Sequence, residues 1–255
     1  MLGGRAWEEI LTTIHDSIVF IDEGNSFVNS REFAHAIRGT DNYYVLITRE
    51  SLYQLPYSVD SVLELHKSGS RKNRTYTKAY PYYKQYRSSE QLQQVERILT
   101  EDRNSGHEMF SAIAAKNGKT CDSAEGKSNI LTALMEHPQA TLVVADGAAF
   151  GAEMDKVYRY IQGNAQRMHL YLPESFEWLL LKAGVVRQQD VTDILANPSA
   201  YIESSEYFSW EQFFTELLVG ITQEPDYMRY NKRHLVPYYL QERNVERVER
   251  AMEAE

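Results

Sequence analysis

Two carboxylates stand where an α/β protein does its chemistry. Asp146 closes the apolar run 141–145 and is followed at once by Gly147, and Glu101 closes the strand-like run from Val95. Buried parallel strands deliver side chains in this way to the C-terminal edge of a sheet, where such folds take their ligands. A hard cation such as Mg2+ wants oxygen donors and keeps several waters, so one or two carboxylates suffice beside a substrate phosphate. It stabilises charge on that phosphate and can supply hydroxide near neutral pH. Glu101 and Asp146 are the expected metal ligands. Asp102 is the weaker neighbour, because adjacent strand residues point to opposite faces. Glu125, at the tip of the next strand, is placed to join them. The competing account needs no metal: Glu101, Asp146 and Glu174 each stand at or before a helix start, where negative charge is favoured. His15, His35, His107, His137 and His169 lack the spacing of a zinc site. Cys121 has no partner that would make it a nucleophile and reads as packing.

Holding such acids in place requires a sheet. Strands are expected over 95–102, 119–124, 140–146 and 167–172, and helices over 105–116, 127–136, 152–162 and 173–184. Asn117 and Gly118 stop the first of these helices, and Pro173 stands near the start of the last. Short βα repeats of this kind demand a mostly parallel sheet. From Gln188 onward the pattern is helical, with a capping-box form over 209–212. The last 20 residues, rich in Glu and Arg, read as an exposed helix that frays. The expected class is α/β, mostly parallel sheet flanked by helices, with a helical C-terminal region. Its organisation reads as units over 1–67 and 91–183, a linker over 68–90 and a helical tail over 184–255.

Near the N-terminus the four apolar residues 18–21 lead into Asp22 and Glu23. Ser30 and Gly39 bracket a helix, and a further strand runs over 42–50. Another strand is expected to end near Leu65. Residues 7–66 resemble part of a P-loop NTPase, with 18–23 in the place of its Walker B strand. That resemblance implies Asp22 and Glu23 as nucleotide-site residues, one holding Mg2+ and one orienting water. No Gly-x-x-x-x-Gly-Lys-Ser/Thr loop precedes them, and Cys121 stands where the first glycine would be needed ahead of Gly126, Lys127 and Ser128. ATP is expected to bind only if a phosphate loop is supplied elsewhere, as though this were the latter part of a larger ATPase.

Between Lys67 and Arg87 seven basic residues occur with no acid, interleaved with Tyr76, Tyr80, Tyr82, Tyr83 and Tyr86. Cations for phosphates and rings for stacking suit nucleic acid, so 67–87 is the expected nucleic-acid contact. A solvated linker is the plainer account.

The unit over 95–183 resembles the Toprim module of topoisomerases, primases and the overcoming-lysogenization-defect nucleases, above all variants joined to ATPases in bacterial defence systems. The resemblance implies that Glu101 matches the glutamate ending the first strand and Asp146 the first aspartate of an Asp-x-Asp motif. Ala148 stands where the second aspartate would be. Divergent members supply a further glutamate from a later segment, a place that Glu177 or Glu174 fills. On that footing Glu101, Asp146 and Glu177 are the expected catalytic residues, with Mg2+ or Mn2+ as cofactor.

Composition sets the outer bounds. A formal net charge of −9 argues against a generally basic nucleic-acid coat. One cysteine excludes an intrachain disulfide and favours a cytoplasmic setting. No apolar run reaches the roughly 20 residues of a membrane span, and no signal-peptide core opens the chain. The leading expectation is Mg2+-dependent phosphodiester chemistry on nucleic acid, as in a defence-type nuclease. Two others stand beside it: a fragment of a regulatory ATPase lacking its phosphate loop, and a non-catalytic interaction module, either with a second copy or a separate ATPase as partner.

Overall fold

The computed structural model describes residues 6–48, 52, 54–55, 61–67, 77–81, 89–188, 190–202, 206–207, 209–224 and 226–253. The protein is α/β, built on a four-stranded all-parallel sheet with helices on both faces and a helical C-terminal region. The strands are β5 (Arg97–Thr100), β6 (Thr120–Ser123), β7 (Thr141–Val144) and β8 (Met168–Tyr171), in the order β6-β5-β7-β8. The inner strands β5 and β7 are buried at all four positions, whereas the edge strand β6 alternates exposed and half-buried. That is why 141–145 reads as a continuous apolar run; β5 has only Ile98 and Leu99 apolar, and its buried Arg97 is satisfied by Thr141 Oγ1 and the His137 carbonyl.

Right-handed crossovers decide which helix covers which face. Helix α4 (Ser105–Lys116) leads from β5 to β6 on one face, with Met109, Phe110 and Ile113 in its core. Helices α5 (Ile130–Glu136) and α6 (Gly147–Gly163) cover the other face with Ile130, Leu134, Phe150, Val157 and Ile161. Helix α4 ends at Asn117, and Gly118 then adopts a φ of +66°, a left-handed turn that suits a glycine. Helix α7 (Phe176–Lys182) begins after the cap Ser175, whose hydroxyl accepts from the Trp178 N–H, so Pro173 and Glu174 precede the helix they were expected to open. The N-termini of α4 and α7 approach closely: a Cβ on Gly106 would lie 3.4 Å from the Phe176 ring.

The C-terminal region joins the α4 face. Helices α8 (Val191–Ala196), α9 (Trp210–Ile221) and α10 (Glu242–Glu253) contribute Val191, Phe213, Phe214, Leu218, Val245, Val248 and Met252 to the same core. Ser209 caps α9 through the Gln212 N–H, as its capping-box sequence foretold. The exposed, fraying helix expected for the last 20 residues is not what forms. Helix α10 buries one apolar stripe against α4 and α7 and keeps its charges on the other side.

Ahead of this sheet, β1 (Ile18–Ile21) and β2 (Tyr43–Leu46) pair in parallel, with α2 (Arg31–Arg38) between them in sequence. Ser30 caps α2 and Gly39 ends it, as expected. One face of the pair packs on Trp7 and Leu11 of α1 (Ala6–Thr13) and on Phe33, while Ile18, Phe20, Tyr43 and Val45 are exposed on the other. Strands β3 (Leu63–Lys67) and β4 (Thr77–Pro81) form an antiparallel pair. Leu65 therefore lies inside a strand rather than at its end, and the stretch read as a linker contains β4 and the first residues of α3 (Ser89–Gln94). Most of the basic and aromatic residues over 67–87 lie outside the described residues; Lys78 and Tyr80 are exposed on β4. Among the described residues no helix is long and apolar enough to cross a membrane.

Candidate functional site

The chain departs from β5 and from β7 toward opposite faces of the sheet, and a crevice forms between strand ends that diverge in this way. Glu101 follows β5 directly and Asp146 follows β7 by two residues; the pairing of Thr100 with Val144 sets the two strand ends level. Glu177 in the first turn of α7 and Glu211 in the first turn of α9 bring two more carboxylates close enough to repel Asp146. Glu101, Asp146, Glu177, Ser105, His107 and Lys232 line a cavity of about 50 Å3 among these elements. That holds a few waters or an ion. It is far below the roughly 300 Å3 at which organic ligands are enclosed, so a larger substrate must approach from outside.

Charge is crowded here. Burial, with repulsion from Asp102 and Glu211, pushes the Glu101 carboxyl up to about 7 against the pull of Lys127 and the Asp146 backbone. Burial and then the charges of Glu211, Glu177 and Glu101 hold Asp146 well above the usual carboxylate range, with Lys232 opposing. Two buried oxygens, Glu101 Oε2 and Glu177 Oε2, have no hydrogen-bond partner, although Glu177 is only 1% exposed. An unpartnered buried carboxylate oxygen is costly and normally avoided.

One oxygen each of Asp146 and Glu177 is held by a hydrogen bond. Asp146 Oδ1 accepts from the Phe176 N–H at 2.9 Å, tying the end of β7 to the start of α7. Its side chain makes no cap to its own helix α6. The Tyr230 hydroxyl donates to Glu177 Oε1 at 2.8 Å, and Ser105 Oγ lies 2.8 Å from that hydroxyl. Tyrosine has one hydroxyl proton, so Ser105 is the donor in the second bond. Tyr230 is itself buried, and the Glu177 charge adds to burial in raising its pKa.

Tyr230 belongs to a strap, residues 230–235, drawn across the start of α4. The Ser105 N–H donates to the Lys232 carbonyl at 3.0 Å, and Glu108 accepts from the Leu235 N–H and lies 3.0 Å from His234 Nδ1. The Lys232 ammonium ion-pairs with Glu211. Its pKa ends raised: burial works to lower it, but the hydrogen bond to Glu211 and the charges of Glu211, Glu177 and Asp146 outweigh that. At the rim, His107 Nδ1 lies 2.8 Å from Thr100 Oγ1, and burial and Arg103 depress its pKa.

These donors suit a hard cation by type: carboxylate oxygens, two of them unpartnered, around an ion-sized space. Among the described residues, no three His, Cys, Asp or Glu side chains converge closely enough to hold an ion by themselves. A site using one or two carboxylates plus water does not require that. Comparison with protein-family models, with curated proteins and with solved structures returned no match. The chemistry of the cavity has to speak for itself.

Of the residues singled out in the sequence, Glu101, Asp146 and Glu177 come together. Glu125 does not join them: its positive φ of 57° turns it outward, where its side chain pairs with Arg103 at 2.9 Å. Asp102 is spent on the turn, accepting from the Asn104 N–H at 3.0 Å. Glu174 is buried in the segment before α7, and Ala148 lies in the first turn of α6. Asp22 and Glu23 are exposed at the end of β1, on another sheet. Cys121 is half-buried, and burial pushes its thiol up to about 11, so little thiolate exists at neutral pH.

Glu211, Tyr230 and Lys232 had no local signal, since each reaches the cavity from the C-terminal region. Replacing Tyr230 by phenylalanine leaves the buried Glu177 carboxylate without its donor. Urea unfolding of Tyr230→Phe should show a loss of about 1–3 kcal/mol; an unchanged midpoint would mean that water replaces the hydroxyl.

Proposed function

We propose that the edge of the four-stranded sheet is a Toprim-like cation site, with Glu101 and Asp146 as ligands of Mg2+ or Mn2+ and Glu177 beside them, serving phosphodiester chemistry on nucleic acid. The observation that carries it is the pair of buried, unpartnered oxygens on Glu101 and Glu177, two residues that line an ion-sized cavity together with Asp146. Folding alone gives no reason to bury them there: uncompensated carboxylates destabilise the ion-free protein. When bound, a divalent ion offsets their charge, stabilises a phosphate and lowers the pKa of a coordinated water. The chain's own groups have simpler tasks. The Phe176 N–H and the Tyr230 hydroxyl fix two of the carboxylates in orientation, and the small cavity keeps the sugar and base outside. The exposed Lys78 and Tyr80 belong to a basic, aromatic stretch suited to the flanking strand of the substrate.

The test is a thermal melt with Mn2+, then with Mg2+, on wild type and Asp146→Asn, followed by a nicking assay on supercoiled DNA. Native-state binding stabilises by about 3 kcal/mol at a hundredfold excess over Kd. A rise confined to wild type supports the site, and metal-dependent nicking lost in the variant supports the activity. No shift in either protein sinks the reading.

One observation favours a second reading, a module without catalysis. Asp146 Oδ1 already has a structural duty at the Phe176 N–H. On that reading Asp146→Asn leaves the melt and its ion response unchanged. The nucleotide-binding role proposed for Asp22 and Glu23 needs a phosphate loop from elsewhere, and equilibrium dialysis of this chain with ATP should then show no binding.

A further inference from the structure

We propose that Lys232 is a built-in counter-ion of the carboxylate cavity, an ammonium that occupies the acidic site when no divalent ion is there and weakens divalent binding by competing with it. This rests on the cation-site reading above and adds to it a regulator carried by the same chain.

Three observations place the ammonium there by design of the fold. First, the strap that carries Lys232 is pinned on both sides. Tyr230 is anchored to Glu177 and Ser105, the Lys232 carbonyl accepts from the Ser105 N–H, and Glu108 holds Leu235 and His234. A lysine on a loose loop would sample open water; here the backbone is fixed at the mouth of the cavity. Second, the side chain uses that position. Lys232 lines the cavity and ion-pairs with Glu211, and its charge is felt by Asp146 and Glu177 as well. Third, the ammonium does not finish the task. It satisfies Glu211, while Glu101 Oε2 and Glu177 Oε2 stay buried without a partner. Lys232, with Lys127 acting on Glu101 alone, thus faces four carboxylates, and the shortfall falls on the two oxygens that a divalent ion would take.

Lysine suits such a role. Its ammonium is a compact point charge on a flexible stem, so it can withdraw without moving the backbone. The Lys232 side chain is 44% exposed, so water is within its reach on withdrawal. The two positive species repel strongly across so short a gap, and occupancy by one disfavours the other. The carboxylates would then never be left wholly bare, and divalent affinity would be set by a difference between two cations rather than by the ligands alone.

The probe is Mn2+ titrated into the 255-residue chain, with free Mn2+ read by electron paramagnetic resonance, on wild type, Lys232→Met and Lys232→Arg. Methionine keeps much of the stem and removes the charge; arginine keeps the charge. The expected result is that Lys232→Met binds Mn2+ about tenfold more tightly than wild type, whereas Lys232→Arg stays within a fewfold. Without the ion, Lys232→Met should melt below wild type, and saturating Mn2+ should close that gap, which also shows that the variant folds. Equal or weaker Mn2+ affinity in a folded Lys232→Met overturns the counter-ion role while leaving the cation site standing. A Lys232→Met chain that neither folds alone nor is rescued by Mn2+ overturns it too, because the lysine is then a structural pin. If none of the three proteins binds Mn2+, the cation-site reading itself fails, and this inference with it.

Discussion

A Glu101→Gln protein in chelator is expected to melt well above wild type at pH 8 and together with it near pH 4. Burial moves the Glu101 carboxyl from an ordinary 4.5 to about 7 in the folded chain. A group that holds its proton more tightly when folded stabilises the fold while protonated. That contribution is complete below about pH 4 and is lost as the pH rises through about 7. Over that window the wild type should lose about 3 kcal/mol through Glu101, which for a chain of this size is a fall of roughly 6–12 °C. Glutamine copies the protonated acid and removes the Glu101 share of the slope. Asp146 is pushed in the same direction and adds a decline to both proteins, smaller in the variant because the Glu101 charge no longer repels it. Melting curves that fall in parallel for both proteins between pH 5 and 8 would refute the burial argument. Saturating Mn2+ at pH 8 should invert the order, raising wild type and leaving the glutamine variant behind.

The second large effect lies far from the cavity. Val248 is fully buried on α10, facing the core shared by α4 and α7. Val248→Asp forces a carboxylate into that core with no partner, a loss of about 4 kcal/mol or more. Against a typical total of roughly 5–15 kcal/mol, this should abolish or severely depress the cooperative transition. The exposed neighbour Arg250 is the control: Arg250→Ala should change stability by no more than about 0.5 kcal/mol. Equal, small effects at both positions would mean that α10 does not dock in solution.

That contrast shows what could be read in the chain and what could not. Helix α10 is dominated by charge, which suggested exposure; the spacing of Val245, Val248 and Met252 was the better guide, because three residues at helical intervals make a stripe that must be covered. The parallel sheet was legible because β7, buried on both faces, carries an apolar run and because strands alternate with short helices along 95–172. Caps at Ser30 and Ser209 were legible because their chemistry is local. Strand β4 was hidden because its partner β3 lies upstream beyond a stretch whose composition suggests a linker, and strand pairing is a non-local fact. At the cavity, Glu101 and Asp146 announced themselves as acids at the ends of strand-like runs. Glu125 looked the same, and a left-handed backbone turn took it away. Glu211, Tyr230 and Lys232 arrive through tertiary packing, and no window of sequence around them contains the strand ends they meet.

The order of synthesis gives the strap a meaning in time. About 130 residues separate Glu101 from Lys232. At ribosomal speeds of roughly 5–20 residues per second, Glu101 leaves the exit tunnel about 7–26 s, and the last strand of the sheet about 3–12 s, before the lysine that closes over them. For that interval the nascent domain carries its carboxylates open to the medium, with neither the ammonium nor the phenol in place. A chain terminated inside α9 therefore lacks both the strap that closes the cavity and the later helix α10 that covers the α4 face.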